Sequence, residues 1–202
     1  MPSRVSPTKS NLQSTKKSQS LAVLGHDLID RKRNILMREI MNMIDRAKEI
    51  QADINAVYAE AYLALQKANI TLGIVDEASQ AIPIDNGIRL DSRSIMGVEL
   101  STVSLAERPP AVYYGLESTN SKLDEAYIKF EEVKRLTTRL AEVENNIFRL
   151  ANAIKKSKMR TNALENVNIP RLKNTIRLIT NVLEEKERED FTRLKVIKQR
   201  ME

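Results

Sequence analysis

Cysteine and tryptophan are absent from the 202 residues, and His26 is the only histidine. The first absence excludes disulfides and thiolate metal sites, and a single imidazole removes most zinc chemistry and Ser-His catalysis. Glycine (5), proline (6) and phenylalanine (3) are also scarce. A chain this poor in turn formers and large aromatics is not composed for a wide globular core. No uninterrupted apolar run approaches the about 18 residues of a membrane-spanning helix, and the basic, serine-rich N-terminus has no apolar signal-peptide core. The expectation is a cytoplasmic protein without catalytic, cofactor or metal sites and without direct membrane insertion.

What is present is charge and helix-forming apolar residues, at 30% and 42% of the chain. The net charge of +6 is unevenly spread. Residues 1–40 hold 8 Lys+Arg against 3 Asp+Glu, residues 41–150 hold 12 against 17, and residues 151–202 hold 13 against 7. Both ends are basic and the middle is acidic. A helical hairpin would bring the two basic ends together.

Ser6 followed by Pro7 reads as an N-cap and first helical residue. From Ile40 the apolar residues recur at alternating spacings of three and four: Ile40, Met43, Ala47, Ile50, Ile54, Val57, Ala61, Ala64, Ala68. That track predicts a coiled-coil helix ending near Thr71, roughly 100 Å long at 1.5 Å rise per residue. A second track starts after Asn120 with Leu123, Ala126, Phe130 and Val133, slips by one residue, and resumes as Leu136, Leu140, Val143, Ile147, Leu150 and Ile154. Leu164, Leu172, Ile176, Ile179, Leu183, Phe191 and Leu194 are expected to carry the same face to the C-terminus. This run contains Pro170, whose ring and missing amide cost an interior helix about 3 kcal/mol.

Between the tracks, three prolines and two glycines punctuate residues 81–110. Alternation around Ile88, Leu90, Val98 and Leu100 predicts two short antiparallel strands turning near Met96-Gly97, with a tighter hairpin on Asn86-Gly87 as the competing register. The fold class is therefore mainly α, a long antiparallel two-helix coiled coil with a small β-hairpin insert. Its segments are 1–71, 72–120 (hairpin about 88–105) and 121–202. Closure would pair residues whose numbers sum to roughly 190, placing Pro170 near Gly25. A parallel homodimeric coil is the alternative.

Two surface features stand out. Beside the first seam runs a displaced row, Met37, Met41, Ile44, Tyr58, Tyr62 and Leu65, interrupted by Lys48, Gln51 and Asn55. It reads either as a slightly broadened core face or, since a two-helix arrangement leaves it uncovered, as a contact for a partner protein. Basic clusters lie at Lys16-Lys17, at Arg31, Lys32 and Arg33, and at Lys195, Lys198 and Arg200. Such clusters can be merely solvated, can bind phosphates, or can touch an acidic protein surface through weak exposed pairs of about 0–1 kcal/mol. No nucleic-acid recognition motif or aromatic interleaving accompanies them.

Three separated blocks carry a family resemblance. The run SPTKSNLQSTKKSQSLAVLGHDLIDRKRNILMREI, the central RSIMGVEL, and NALENVNIPRLKNTIRLITNVLEEKEREDFTRLKVIK resemble, in that order, the D subunit of rotary V-type and archaeal-type ATPases. The resemblance implies a non-catalytic rotor shaft transmitting torque between a catalytic hexamer of A and B subunits and a membrane ion-translocating ring. It also implies a small F-type subunit beside the coiled coil and a C/d-type subunit linking to the ring. On that basis Lys9, Arg31, Lys32, Arg33, Lys195 and Lys198 are candidate rotor-stator contacts. Met41, Ile44, Tyr58 and Tyr62 are the candidate bed for the small F-type protein, with Gly25 and Pro170 as structural positions. A coiled-coil scaffold unrelated to a motor, or a nucleic-acid-binding helical arm, are the competing functions.

Overall fold

A computed structural model describes residues 6–73, 75–106, 111–115, 117 and 119–201. In chain order these form α1 (Lys9–Leu72), α2 (Asp76–Ala81), β1 (Ile88–Ile95), β2 (Val98–Leu105), α3 (Ser121–Ala163), a π-helical segment (Leu164–Asn168) and α4 (Ile169–Met201). The fold is mainly α with one two-stranded antiparallel hairpin. The chain divides into two compact units, one of residues 36–153 and one of residues 1–35 with 154–202.

The start of α1 corrects the expected cap. Thr8, not Ser6, accepts the free amide, from Asn11 N–H to Thr8 Oγ1 at 3.2 Å, while Leu12 N–H reaches the Thr8 carbonyl at 2.9 Å. Ser6 contributes only its carbonyl, which accepts the Asn11 side-chain amide at 2.8 Å. A cap oxygen must stand three residues before the amide it takes, and Thr8 has that place. At the other end Gly73, with φ 79°, returns its N–H to Asn69 O at 2.9 Å, a left-handed terminator that a Cβ would strain.

In the unit of residues 36–153, the predicted first seam is the buried one. Leu36, Ile40, Met43, Ile54, Ala61, Ala64 and Ala68 of α1 are enclosed, as are Leu123, Ala126, Val133 and Leu150 of α3. The segments run antiparallel: Lys129 Nζ meets Glu60 Oε2 at 2.7 Å, and Asn120 Nδ2 donates to Thr71 Oγ1 at 2.7 Å. Both pairs keep a sum of residue numbers near the expected value. Asn120 also caps α3, its Oδ1 accepting the amides of Lys122 and Leu123 at 3.1 and 3.2 Å. The short α2, which the sequence did not announce, packs Val75, Ala78 and Ile82 on Ala68, Tyr114 and Leu123.

The hairpin takes the register favoured by alternation, with Ile95 opposite Val98 and Ile88 opposite Leu105. Met96 (φ 50°) and Gly97 (φ 72°) form the two-residue turn. Positive φ at both positions matches the right-handed strand twist, at some strain for the non-glycine Met96.

In the unit formed by the chain ends, α1 and the second helical arm also run antiparallel, with Lys9 Nζ 2.9 Å from Glu187 Oε1 and His26 Nε2 3.8 Å from Glu165 Oε2. Its buried side chains are Ser157, Thr161 and Ile179. The expected apolar face does not persist to the C-terminus: Phe191 is 71% and Leu194 66% exposed. The seam ends at half-buried Leu183 because every described residue beyond it is exposed.

Candidate functional site

Pro170 stands two residues into α4, directly behind the π segment. Ile169 donates its amide to the carbonyl of Leu164, five residues back instead of four. The apolar spacing explains why. Thr161, Leu164, Ile169, Leu172, Ile176, Ile179 and Leu183 are buried or half-buried, and the interval from Leu164 to Ile169 is one residue longer than an α-helical seam permits. The π turn absorbs that extra residue and returns the stripe to phase. It also widens the backbone where the Pro170 ring would meet the preceding turn, so the helix continues through a residue that normally breaks it. The expected matching of Pro170 to a side-chain-free Gly25 is not found: a Cβ added at Gly25 would meet no atom within 4 Å. The glycine fills no close approach, because the proline is accommodated within its own helix.

The candidate stator-facing cations lie on exposed or half-buried helix surfaces, and three of them hold carboxylates of the same chain. Lys9 pairs with Glu187, Arg31 with Asp27 at 2.8 Å, and Arg33 with Asp30 at 2.7 Å. The Glu187 hydrogen bond raises the Lys9 ammonium above its ordinary value, and Lys9 in turn lowers the Glu187 carboxyl. Lys32 is half-buried, while Lys195 and Lys198 are exposed on α4. Lys9 and Glu187 are brought together from opposite ends of the chain; Arg31, Lys32 and Arg33 share one stretch of α1.

The displaced row splits into two parts. Met37 and Met41 are open, and Ile44 is half-buried. Tyr58 stacks on Tyr62 with centroids 5.8 Å apart, and Tyr62 meets Phe130 of α3 edge-on at 5.7 Å. The aromatic half is thus partly covered from within, contrary to the expectation that nothing in a two-helix arrangement reaches it. The long Phe130 side chain spans the gap from α3. Tyr62 stays 53% exposed, as open as Met41, so the ring contacts cover the row only in part.

Sequence reading missed the residues that seat the hairpin. Asn146, 2% exposed, accepts the Ser101 amide on Oδ1 at 2.7 Å and donates Nδ2 to the Ser101 carbonyl at 2.7 Å. Glu142 Oε2 accepts from Val103 N–H at 3.1 Å, and Arg149 donates to the Glu99 carbonyl at 3.2 Å. Leu100, fully buried, is the apolar anchor of β2. The available signal was an asparagine next to the apolar track at Val143 and Ile147, a place a polar residue keeps only with a committed partner.

Two further polar contacts hold the inserted segment. Tyr114 donates to Asp124 Oδ1 at 2.6 Å; burial, then that hydrogen bond, push its phenol up to about 12. Lys134 contacts Asp85 at 3.0 Å and Glu131 at 2.7 Å. Burial opposes its charge, yet the two carboxylates more than offset this and raise it. Among the described residues there is no group of side chains able to hold a metal ion, and no helix is long and apolar enough to cross a membrane. What these surfaces offer chemically is contact, charge and shape.

Comparison with known proteins agrees across nearly the whole chain. The family model for the D subunit of ATP synthase matches residues 11–199. The V-type ATP synthase D subunit of Thermotoga neapolitana is 42% identical over 199 residues, covering 98% of each chain. The A-type ATP synthase D subunit of Pyrococcus furiosus is 40% identical over 204 residues, covering 98% of this chain and 95% of its own. Its A-type counterpart in Methanosphaera stadtmanae is 38% identical over 203 residues, with the same two coverages.

Proposed function

From the premise that the chain belongs to the D-subunit family of ATP synthases, we propose that it is the central-stalk rotor of a V-type or A-type ATPase. It is a non-catalytic shaft that passes torque between ATP turnover in a hexamer of A and B subunits and ion movement at a membrane ring. The observation that carries this reading is the extent of the family match, from residue 11 to residue 199, which takes in both helical arms and the hairpin together.

The geometry supports the reading in three ways. Exposed ion pairs such as Lys9–Glu187 and Arg31–Asp27 are individually weak, which suits cations that exchange partners as the shaft turns. The strip of Met37, Met41 and Ile44 is apolar and conformationally adaptable, fitting a small F-type subunit. The paired helical arms give stiffness along the chain while the hairpin stays docked to α3. A C/d-type subunit would link the shaft to the ring, leaving this chain cytoplasmic and membrane-associated only through the complex.

Reconstitution tests the reading. The full chain, added to a catalytic hexamer lacking it, is expected to co-elute with the hexamer and change its ATPase rate. If it does neither, the shaft reading fails; recovery of unrelated partners points to a scaffold, and salt-sensitive retention of RNA or DNA to a nucleic-acid arm.

A further inference from the structure

The two edges of the hairpin differ. The outer edge of β2 is consumed by α3, through Asn146 on Ser101, Glu142 on Val103 and Arg149 on Glu99. The main-chain groups of Glu99, Ser101 and Val103 therefore point away from β1. Their cross-strand partners are Ser94, Ser92 and Leu90. In an antiparallel pair, such positions turn their own N–H and C=O outward on the opposite side. No hydrogen bond among the described residues reaches those outward groups, and Ile88 through Ser94 are all exposed. The eight-residue β1 is thus a free edge held rigidly in place by the docking of its neighbour, a template onto which another strand can pair.

The side chains narrow the occupant. Arg89, Asp91 and Arg93 alternate along one face of β1, and none of them makes an ion pair among the described residues. Charges on an edge strand disfavour pairing with an uncharged strand, which would desolvate them without compensation, and so guard against indiscriminate pairing. They still admit a strand with the opposite order of signs, because facing opposite charges stabilise a cross-strand pair. We propose that the β1 edge docks an extended segment of a partner protein as a third strand, with acidic, basic and acidic side chains at alternate positions opposite Arg89, Asp91 and Arg93.

A second copy of this chain fits less well. An antiparallel β1 pair centred on Leu90 matches Arg89 with Asp91 but leaves Arg93 facing Gly87, and one centred on Ser92 matches Asp91 with Arg93 but leaves Arg89 facing Ile95. One centred on Asp91 sets Arg89 against Arg93, so no register satisfies all three charges. The partner is therefore a different chain.

Amide hydrogen exchange of the full protein, alone and in the purified complex that contains it, tests the proposal. Leu90, Ser92 and Ser94 are expected to exchange at least about tenfold more slowly in the complex. Ser92→Pro removes one outward N–H and leaves the ladder to β2 intact, since the amides that bond to β2 belong to Arg93 and Ile95. In the isolated variant Arg93 and Ile95 should stay protected, showing that the hairpin forms, while in the complex the added protection of Leu90 and Ser94 should be lost. Equal exchange with and without partners overturns the proposal. So does protection that survives Ser92→Pro, because a cover would then be present instead of a strand. Concentration-dependent protection in the isolated chain also overturns it, in favour of a second copy. Whether the chain enters the complex at all is read beforehand by co-purification, so failure of the rotor reading is distinguishable from failure of this one.

Discussion

Ile169 reaches back five residues to the carbonyl of Leu164, and Pro170 follows it immediately. The longer step, the extra residue in the apolar spacing and the proline are one feature seen at three levels. An inserted residue must be absorbed somewhere if the stripe is to keep facing its partner helix. Absorbing it as a π turn places Pro170 where the backbone is already widened.

This coupling predicts non-additivity. Deleting exposed Val167 should restore α-helical spacing and leave Pro170 inside a regular helix, destabilising the chain by about 3 kcal/mol. Deleting Val167 together with Pro170→Ala should recover most of that loss, while Pro170→Ala alone should change stability by less than about 1 kcal/mol. Urea unfolding of the four proteins followed by circular dichroism decides it; additive effects would separate the proline from the inserted residue.

Asn146→Leu keeps the volume of the side chain but leaves both main-chain groups of Ser101 without their partner. Each unsatisfied group costs about 1–3 kcal/mol, so the hairpin should detach from α3 before the helices unfold. Exchange of the Ser101 and Val103 amides would accelerate while α3 amides stayed slow. Unchanged exchange at Ser101 would show that Leu100 alone seats the strand.

Tyr114 should titrate near 12, measurable as the last tyrosinate to appear in ultraviolet absorbance as pH rises. The sign follows from the neutral phenol being the favoured form in the folded chain. The stabilisation is fully present below the ordinary value near pH 10 and is lost as pH climbs toward about 12. In Asp124→Ala the phenol should titrate lower, having lost its hydrogen-bond acceptor, although burial would still hold it above the ordinary range.

The Lys9–Glu187 pair joins opposite ends of the chain. Carbon-detected NMR should find the Glu187 carboxyl titrating below ordinary glutamates, and Lys9→Ala should bring it back. Its contribution is present above the ordinary glutamate value and fades as pH falls through the lowered one. A Glu187 titration indifferent to Lys9→Ala would remove this contact between the ends.

Arg31→Glu with Arg33→Glu should weaken association with the catalytic hexamer by at least about tenfold at low salt, about 1.4 kcal/mol, with the difference narrowing as salt rises. Lys129 is a poor control because it holds Glu60 across the helices. Lys48→Glu, on exposed helix beside Asp45, is the fairer one. Equal losses from both variants would dismiss the assignment of Arg31 and Arg33 to the stator contact.

The seam of α1 could be read from Ile40 to Ala68 because helix geometry repeats every 3.6 residues and apolar spacing reports it directly. The hairpin register was legible from alternation and from a glycine where positive φ is required. The sequence also displayed the charge asymmetry and the three blocks of family resemblance. Burial of Asn146 and the docking of Ser101 were not legible, since which polar side chain meets which strand depends on positions far apart in the chain.

The sequence alone determined the long helical segments, the hairpin between them and the absence of cysteine chemistry, since each follows from composition or from periodicity between near neighbours. Only the tertiary structure decided that Thr8 is the cap, that Phe130 meets Tyr62 edge-on, and that Pro170 needs a π turn and not Gly25. It likewise decided that one hairpin edge is occupied by α3 while the other is free. Those outcomes depend on how side chains from distant segments compete for the same hydrogen-bonding groups and the same space, and local periodicity carries no record of that competition.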